Sequence, residues 1–300
     1  MTYVEVGEWS ERPRPRGAVV VGYNGRKHSQ AALDWAADDA VRRGAPLVVL
    51  FAANYPGMTV EPGPGLLERD PVALDTAYGV TARGVQAALD RHPELAVFGA
   101  TEVTSPPRAL VEASWDAAQV VLGSRGRGRV FGTLLGSVAF NVSSQAGCPV
   151  VVVRDRSLAR PVGPDFGVVV GTDGSAAASA AVAFAAGHAT TASAALEIVT
   201  CTGGHQVEDV DEQQLRAAAD DIAAAAAAEV RRDHPDLVVT TRVEDCPAEV
   251  VLVEDSAEAG LVVVGTRGRG AFTGLLLGSV SHAVIDGAEC VVAVVDDPGI

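Results

Sequence analysis

Two segments of the chain combine glycine, serine or threonine, and arginine at a spacing that suits an anion. Residues 123–126 are Gly-Ser-Arg-Gly, and nine residues separate them from Gly136 and Ser137. Residues 265–268 are Gly-Thr-Arg-Gly, and the same spacing leads to Gly278-Ser279. Each segment follows a run of valine and leucine, so each is predicted at the carboxyl end of a strand, where open α/β sheets bind ligands.

The chemistry predicted for these segments is phosphate binding by main-chain N–H groups. Glycine permits a positive φ and lets an anion approach the backbone without a Cβ in the way. Ser137 is predicted to be the N-cap of a helix whose free N–H groups and dipole face the ligand. Positive charge at the rim would come from Arg125, Arg127, Arg267 and Arg269. A second interpretation stays open, in which the glycines only shape tight turns, because a duplication retains packing glycines too.

The sequence contains an internal duplication that places these two segments at matching positions. Residues 19–25, Val-Val-Val-Gly-Tyr-Asn-Gly, recur at 168–174 as Val-Val-Val-Gly-Thr-Asp-Gly. A repeat of this length predicts two homologous domains joined in tandem. The predicted boundaries are an N-terminal tail at 1–16, a first domain at 17–154, a linker at 155–165 and a second domain at 166–296.

Each copy alternates apolar runs with helical patterns. The apolar runs are continuous Val, Ile and Leu without polar alternation, which is typical of strands in a sheet covered on both faces. Helices are predicted between them, including 29–43, 109–118 and the alanine-rich segment 215–231. With right-handed crossovers, this pattern predicts an α/β fold in which each copy is a doubly wound parallel sheet with helices on both faces.

Composition excludes several classes of function. The 23 basic and 38 acidic residues give a net charge of −15, so no nucleic-acid partner is expected. No apolar run reaches the roughly 18 residues of a membrane span, and the glutamate-containing N-terminus does not resemble a secretory leader, so a cytoplasmic location is expected. The single lysine, Lys27, follows Arg26 instead of glycine, which excludes a Walker A loop. The four cysteines lack zinc-ligand spacing, and no metal site is predicted.

On these motifs the chain resembles a tandem universal stress protein of the ATP-binding type. In that family the pattern G-x-x-G, nine residues, G-[ST] occurs together with an aspartate at the end of the first strand. The aspartate position is occupied by Asp173 in the second copy and by Asn24 in the first. The resemblance implies two five-stranded, Rossmann-like domains of the adenine nucleotide alpha hydrolase kind. It also implies that they bind ATP, with Mg²⁺ held through the phosphates.

The resemblance further implies which residues contact the nucleotide. The motif residues would bind ribose and triphosphate, the first-strand acid would reach the adenosine end, and the backbone closing the second strand would contact adenine. The residues so implied, with the rim arginines, are Asn24, Ala52, Gly123, Arg125, Gly126, Arg127, Gly136, Ser137 and Val138 in the first copy, and Asp173, Cys201, Gly265, Arg267, Gly268, Arg269, Gly278, Ser279 and Val280 in the second. Because an amide loses the charge-assisted hydrogen bond of a carboxylate, the second copy is expected to bind nucleotide at least as well as the first.

No motif of a hydrolase or metalloprotease accompanies this pattern, and no general base is evident. The function expected is therefore a nucleotide-dependent regulatory or stress-response protein, with unidentified protein partners and without strong turnover. The alternatives are a slow ATP-hydrolysing or autophosphorylating enzyme, and a homologue that binds AMP, a cyclic nucleotide or no nucleotide. In the family, domains pair through their last strands, which implies an intramolecular pseudo-dimer here and allows a further homodimer.

Overall fold

The computed structural model describes residues 6–7, 15–52, 71–124, 136–154, 160–203, 211–268 and 277–297. The described residues up to 154 form one compact unit, and those from 160 onward form a second. Four of the predicted binding residues, Arg125, Gly126, Arg127 and Arg269, lie outside the described residues, as do parts of the predicted tail and linker.

The first unit is a parallel sheet whose strands are joined by helices. Its elements are β1 (Val6–Gly7), β2 (Ala18–Gly22), α1 (Lys27–Arg43), β3 (Leu47–Ala52), α2 (Pro71–Arg91), β4 (Val97–Glu102), α3 (Pro106–Ser114), β5 (Ala117–Gly123), α4 (Ser137–Ser143) and β6 (Val150–Val153). The strand order is β1-β4-β3-β2-β5-β6, and neighbouring strands run parallel.

The second unit repeats this plan. Its elements are β7 (Val168–Gly171), α5 (Ala176–Thr191), β8 (Leu196–Gly203), α6 (Glu212–Asp233), β9 (Val239–Pro247), α7 (Ala248–Asp255), β10 (Leu261–Gly265), α8 (Ser279–Gly287) and β11 (Val291–Val295). The order β11-β10-β7-β8-β9 is again parallel throughout. The predicted doubly wound α/β class is therefore confirmed.

In both units the chain winds outward from a central strand and then returns to its other side. After β2 it adds β3 and β4 in one direction, and it then crosses back to place β5 beside β2. In the second unit, β7 and β10 have the same relation. The carboxyl ends of these central pairs are the topological switch points, where sheets of this kind bind ligands.

Helices cover the sheet in two layers in each unit. Helix α1 packs with α2, and α3 packs with α4; in the second unit α5 packs with α6 and α7 with α8. The central strands between them are buried, with residues 19–21 and 47–50 at most 1% exposed, as expected for uninterrupted apolar runs. The edge strand β9 is more exposed. Helix α5 approaches its sheet through Ala177, Ala181 and Ala185, which recur every four residues on one helix face.

Two features of the first unit differ from the sequence prediction. Helix α3 spans Pro106–Ser114 instead of 109–118, because prolines occupy its first turn and β5 already begins at Ala117. A short strand, β1, lies in the segment predicted as a tail and pairs with β4, so this sheet has one strand more than the five implied.

An ion-pair cluster joins α1 to the end of α2. Both guanidinium nitrogens of Arg91 that face Asp38 donate to its carboxylate, at 2.5 and 2.6 Å, and His92 Nε2 lies 2.7 Å from the same carboxylate. Burial alone would raise the pKa of Asp38, but the hydrogen bonds from Arg91 and His92 outweigh it and lower that pKa. The cluster therefore ties the two helices of one layer together.

None of the helices in the described part of the chain is both long enough and apolar enough to cross a bilayer.

Candidate functional site

The first glycine of each motif is the last residue of a central strand and packs against a helix. A Cβ placed on Gly123 would lie 2.5 Å from the carbonyl oxygen of His28, in the first turn of α1. A Cβ on Gly265 would lie 3.0 Å from the carbonyl carbon of Ala177, the matching residue of α5. These two glycines are therefore required for close packing of strand against helix.

None of the motif glycines that the structure describes has a positive φ. Positive φ occurs instead at Gly25 (+74°) and Gly174 (+75°), which turn the chain between the first strand and first helix of each unit. The reason is that the motif glycines lie in ordinary backbone and serve close approach, whereas the tight turn falls one residue after Asn24 or Asp173.

Main-chain hydrogen bonds hold the two ends of each glycine-rich segment together. Ser124 N–H donates to the carbonyl of Val153 at 2.8 Å, and Gly136 N–H donates to the carbonyl of Ser124 at 2.9 Å. In the second unit Thr266 donates to Val295 at 2.8 Å, and Gly278 donates to Thr266 at 2.7 Å. The start of the following helix is thereby held beside the end of the central strand.

Helix α4 begins at Ser137 as predicted, but its N-cap is Gly136 and not Ser137. Gly136 is the N-cap of α4 and Gly278 is the N-cap of α8, both in extended backbone, so Ser137 is a first-turn residue and not the cap. Neither cap has a side-chain hydrogen bond. Ser137 and Ser279 are exposed, and Val138 and Val280 are half-buried beside them. The N–H groups of this first turn lack partners within their own helix, as at any helix start.

Asp173 and Gly268 are brought together at the switch point of the second unit. A Cβ placed on Gly268 would lie 2.5 Å from Asp173 Oδ2. The other carboxylate oxygen, Oδ1, accepts a hydrogen bond from Ser175 N–H at 2.9 Å. The carboxylate is thus oriented by the start of α5, with one oxygen directed at the motif backbone.

Asn24, the matching residue of the first unit, has an additional partner, the hydroxyl of Ser29. Its Oδ1 accepts from the hydroxyl of Ser29 at 2.9 Å and from Arg26 N–H at 3.1 Å. Ser29 is buried in the first turn of α1, and its place in the second unit is taken by Ala178. The amide oxygen is therefore occupied within its own loop in the first unit.

The exposed rim of the second unit carries an arginine and an aspartate in contact. The hydroxyl of Thr266 donates to Asp296 Oδ1 at 2.6 Å, and Arg267 Nη2 lies 3.9 Å from the same oxygen. The two charged side chains are 48% and 39% exposed, so the pair is solvent-accessible. Part of the positive charge predicted for this rim is therefore balanced by Asp296.

Ala52 is the last residue of β3, whereas β8 continues two residues beyond Cys201, to Gly203. Ala52 pairs with Glu102 on the neighbouring strand, and Cys201 pairs with Glu244, and both are half-buried. Burial, together with the nearby Glu244 carboxylate, raises the pKa of the Cys201 thiol to about 11. The thiol is protonated near neutral pH and is not an activated nucleophile.

A charged cluster supports the strand pair that carries Cys201. Arg242 on β9 bonds Glu197 on β8 at 3.0 Å, Glu244 at 3.1 Å and Asp255 on α7 at 2.5 Å. Burial alone would lower the pKa of the Arg242 guanidinium, but its three carboxylate partners outweigh burial and raise that pKa above its usual value. The cluster joins β8, β9 and α7 at the outer edge of the sheet.

Three polar residues that shape these sites were not predicted from the sequence: Ser29, Ser281 and Asp296. The hydroxyl of Ser281 donates to the carbonyl of Gly265 at 2.5 Å, which holds α8 against the end of β10. For Asp296 a signal was present, because it directly follows the last apolar strand. For the two serines none was, because the contact of Ser29 with Asn24 and that of Ser281 with Gly265 depend on helix placement.

Within the described residues, no group of three or more His, Cys, Asp or Glu side chains is arranged to hold a metal ion.

Comparison with known proteins identifies the family. The profile described as "Universal stress protein family" matches residues 16–154 and again residues 167–296. The chain belongs to the universal stress protein family. The universal stress protein Rv2005c of Mycobacterium tuberculosis is 36% identical over 292 residues, which cover 94% of this chain and 98% of that protein. The similarity therefore extends across both units of the chain.

A solved universal stress protein of similar length shares the fold. That protein, from Archaeoglobus fulgidus DSM 4304, has a TM-score of 0.69 and 20% identity, covering 93% of this chain and 98% of its own. A shorter universal stress protein, solved in complex with cAMP, covers 47% of this chain and 99% of its own, with a TM-score of 0.38 and 24% identity.

Proposed function

We propose that each unit binds an adenine nucleotide at the carboxyl edge of its sheet, and that the protein is a nucleotide-dependent regulator without strong turnover. Family membership and the duplicated motif support this proposal. The observation that carries it is the Asp173 carboxylate, whose Oδ2 faces the backbone of Gly268 at the switch point. An acidic acceptor beside a stretch of backbone without a Cβ suits a ribose that continues into phosphate.

The residues around Asp173 have distinct roles in this proposal. The carboxylate accepts hydrogen bonds from ribose hydroxyls, and the backbone of Cys201 contacts the adenine. The phosphates approach the first turn of α8, where the N–H groups and the helix dipole favour negative charge. Arg267 adds a cation at the exposed rim. In the first unit Asn24, Ala52 and the start of α4 take the corresponding positions.

ATP with Mg²⁺ is the ligand proposed, and the described residues constrain how the metal would be held. They contain no cluster of protein ligands for a metal ion. Mg²⁺ keeps several waters and commonly binds through substrate phosphates, so the protein's own contribution is to bind the nucleotide around it.

The same residues argue against rapid phosphoryl transfer. A general base needs a basic atom within reach of the attacking group. The Cys201 thiol is protonated, with its pKa raised to about 11, mainly by burial. The Asp173 carboxylate is engaged by Ser175 N–H and directed at Gly268. Neither group is arranged as a nucleophile or a base. We therefore propose that the bound nucleotide is hydrolysed slowly, if at all.

Mass spectrometry of the nucleotide released from purified, denatured protein tests the proposal and identifies the ligand among ATP, AMP and cyclic nucleotides. Titration calorimetry with the same nucleotide then measures affinity in the wild type and in Asp173→Ala. We expect released adenine nucleotide and weaker binding by the variant. Incubation with labelled ATP should yield few product equivalents per chain. The proposal fails if the protein neither retains nor binds any adenine nucleotide.

A further inference from the structure

Matching positions at the two switch points carry opposite charges. Thr266 N–H donates to Val295, and Ser124 N–H donates to Val153, so the residue after each of these valines occupies the same place in its sheet. That residue is Asp296 in the second unit and Arg154 in the first. At this position the second unit therefore has an aspartate, and the first unit has an arginine whose side chain is buried.

The loops that lead into the first helices differ in the same direction. Asn24, Arg26 and Lys27 in the first unit match Asp173, Ser175 and Ala176 in the second. Arg26 and Lys27 are exposed at the start of α1, on the edge of the sheet where the motif lies. Across these described positions the first unit is cationic and the second is anionic.

Asp296 acts directly on the motif of the second unit. Its carboxylate accepts the hydroxyl of Thr266, whose own carbonyl accepts the N–H of the α8 N-cap, Gly278. The same carboxylate lies 3.9 Å from Arg267 and offsets the charge of that rim cation. A polyphosphate bound at α8 would therefore meet an anion that has no counterpart in the first unit.

We propose that the two units select nucleotides of different phosphate charge, and that Asp296 sets the preference of the second unit. This inference rests on the proposed nucleotide binding. The first unit gains affinity steeply from adenosine to AMP to ATP. The second unit holds the adenosine end more firmly through Asp173 but gains less from each added phosphate.

The test uses the full-length chain, with 2-azidoadenosine photolabelling read separately on peptides of each unit. Unlabelled adenosine, AMP and ATP compete, with and without excess Mg²⁺. In the wild type the ratio of ATP to adenosine affinity should be larger in the first unit. Asp296→Asn should raise ATP affinity in the second unit on the order of three- to tenfold while leaving adenosine affinity unchanged. Asp296→Arg, which introduces the residue found at this position in the first unit, should raise the ATP affinity of the second unit further.

Glu289→Gln is the matched control. It removes one negative charge from an exposed residue at the opposite end of β11, far along the strand from Asp296. It should leave the ratio of ATP to adenosine affinity unchanged in both units. Thermal unfolding of each variant checks that the fold is retained. The amide oxygen that Asp296→Asn introduces can still accept the Thr266 hydroxyl, so little loss of stability is expected.

Two results would overturn the inference: equal charge preference in both units, or a fall in ATP affinity on Asp296→Asn. The second result would mean that Asp296 helps to hold a cation on the phosphates. Failure of the proposed function has a different signature, because then no adenine ligand would protect either unit from labelling.

Discussion

Replacing Gly268 with alanine should separate nucleotide binding from stability. The added methyl group would lie 2.5 Å from Asp173 Oδ2, whereas relaxed C···O contacts are about 3.3 Å or longer, so the carboxylate must withdraw by about 1 Å. Gly268 is exposed and its φ is not in the left-handed region, so alanine fits the backbone. The free energy of unfolding should therefore stay within about 1 kcal/mol of wild type, because alanine also restricts the unfolded chain.

The loss in binding should be much larger than the change in stability. A hydrogen bond to a charged group contributes about 1.5–3 kcal/mol, which corresponds to roughly 10- to 150-fold weaker adenosine binding in the second unit. Per-unit photolabelling measures this loss, and urea unfolding measures stability. Gly187→Ala is the control, because it makes the same chemical change inside α5, where a Cβ meets nothing within 4 Å.

Gly265→Ala provides the contrasting case. Its Cβ would lie 3.0 Å from the backbone of Ala177. Because a helix backbone cannot move away as a carboxylate side chain can, Gly265→Ala should lower the free energy of unfolding. Wild-type adenosine binding by Gly268→Ala, together with weakened binding by Asp173→Ala, would contradict this prediction. That outcome would mean that the position of the carboxylate against Gly268 is irrelevant to binding.

Three further predictions follow from described contacts. Asp173→Asn should weaken adenosine binding in the second unit about tenfold. Asn24→Asp should increase adenosine affinity in the first unit by a smaller factor, because the side chain at position 24 already accepts a hydrogen bond from a serine hydroxyl. Titration calorimetry measures both changes in affinity. Burial alone would raise the pKa of Asp38, but its hydrogen bonds lower it below the unfolded value, so its stabilising effect is present above about pH 4 and lost as pH falls. Urea unfolding at neutral and acid pH should show a weaker pH dependence for Asp38→Asn, but not for the exposed control Glu94→Gln. The Cys201 thiol, with its pKa raised to about 11, should react with iodoacetamide only slowly at pH 8, followed by peptide mass mapping; rapid labelling would contradict its burial.

The layered fold was predictable because its strands have a distinct composition. Buried parallel strands must be apolar along their whole length, and runs such as 19–21 and 168–170 have no other explanation. Helix boundaries were less predictable. Two prolines lie in the first turn of α3, and their place there is clear only once β5 is known to begin at Ala117. The strand β1 was not predictable, because two residues carry no pattern and their pairing with β4 is a tertiary contact.

The candidate site was predictable only in part, for a related reason. The motif marks where backbone comes close to other groups, but not which groups. Gly265 approaches a helix, whereas Gly268 approaches a carboxylate, and the two positions look alike in sequence. The contact between Asp173 and Gly268 joins residues far apart in the chain, and it follows from the neighbouring positions of β7 and β10. Side-chain partners such as Ser29 depend on finer placement still.

Comparison of the two copies separates constraints of packing from constraints of ligand. Gly123 and Gly265 match because each approaches the first turn of a helix, and neither copy tolerates a Cβ there whatever it binds. Other matching positions have diverged in charge, as Arg154 and Asp296 show. If both copies had one ligand and one task, such a reversal beside the motif would cost affinity in one of them. This conflict does not arise if the two units prefer nucleotides of different phosphate charge. The nucleotide affinities of the two units should therefore be measured separately.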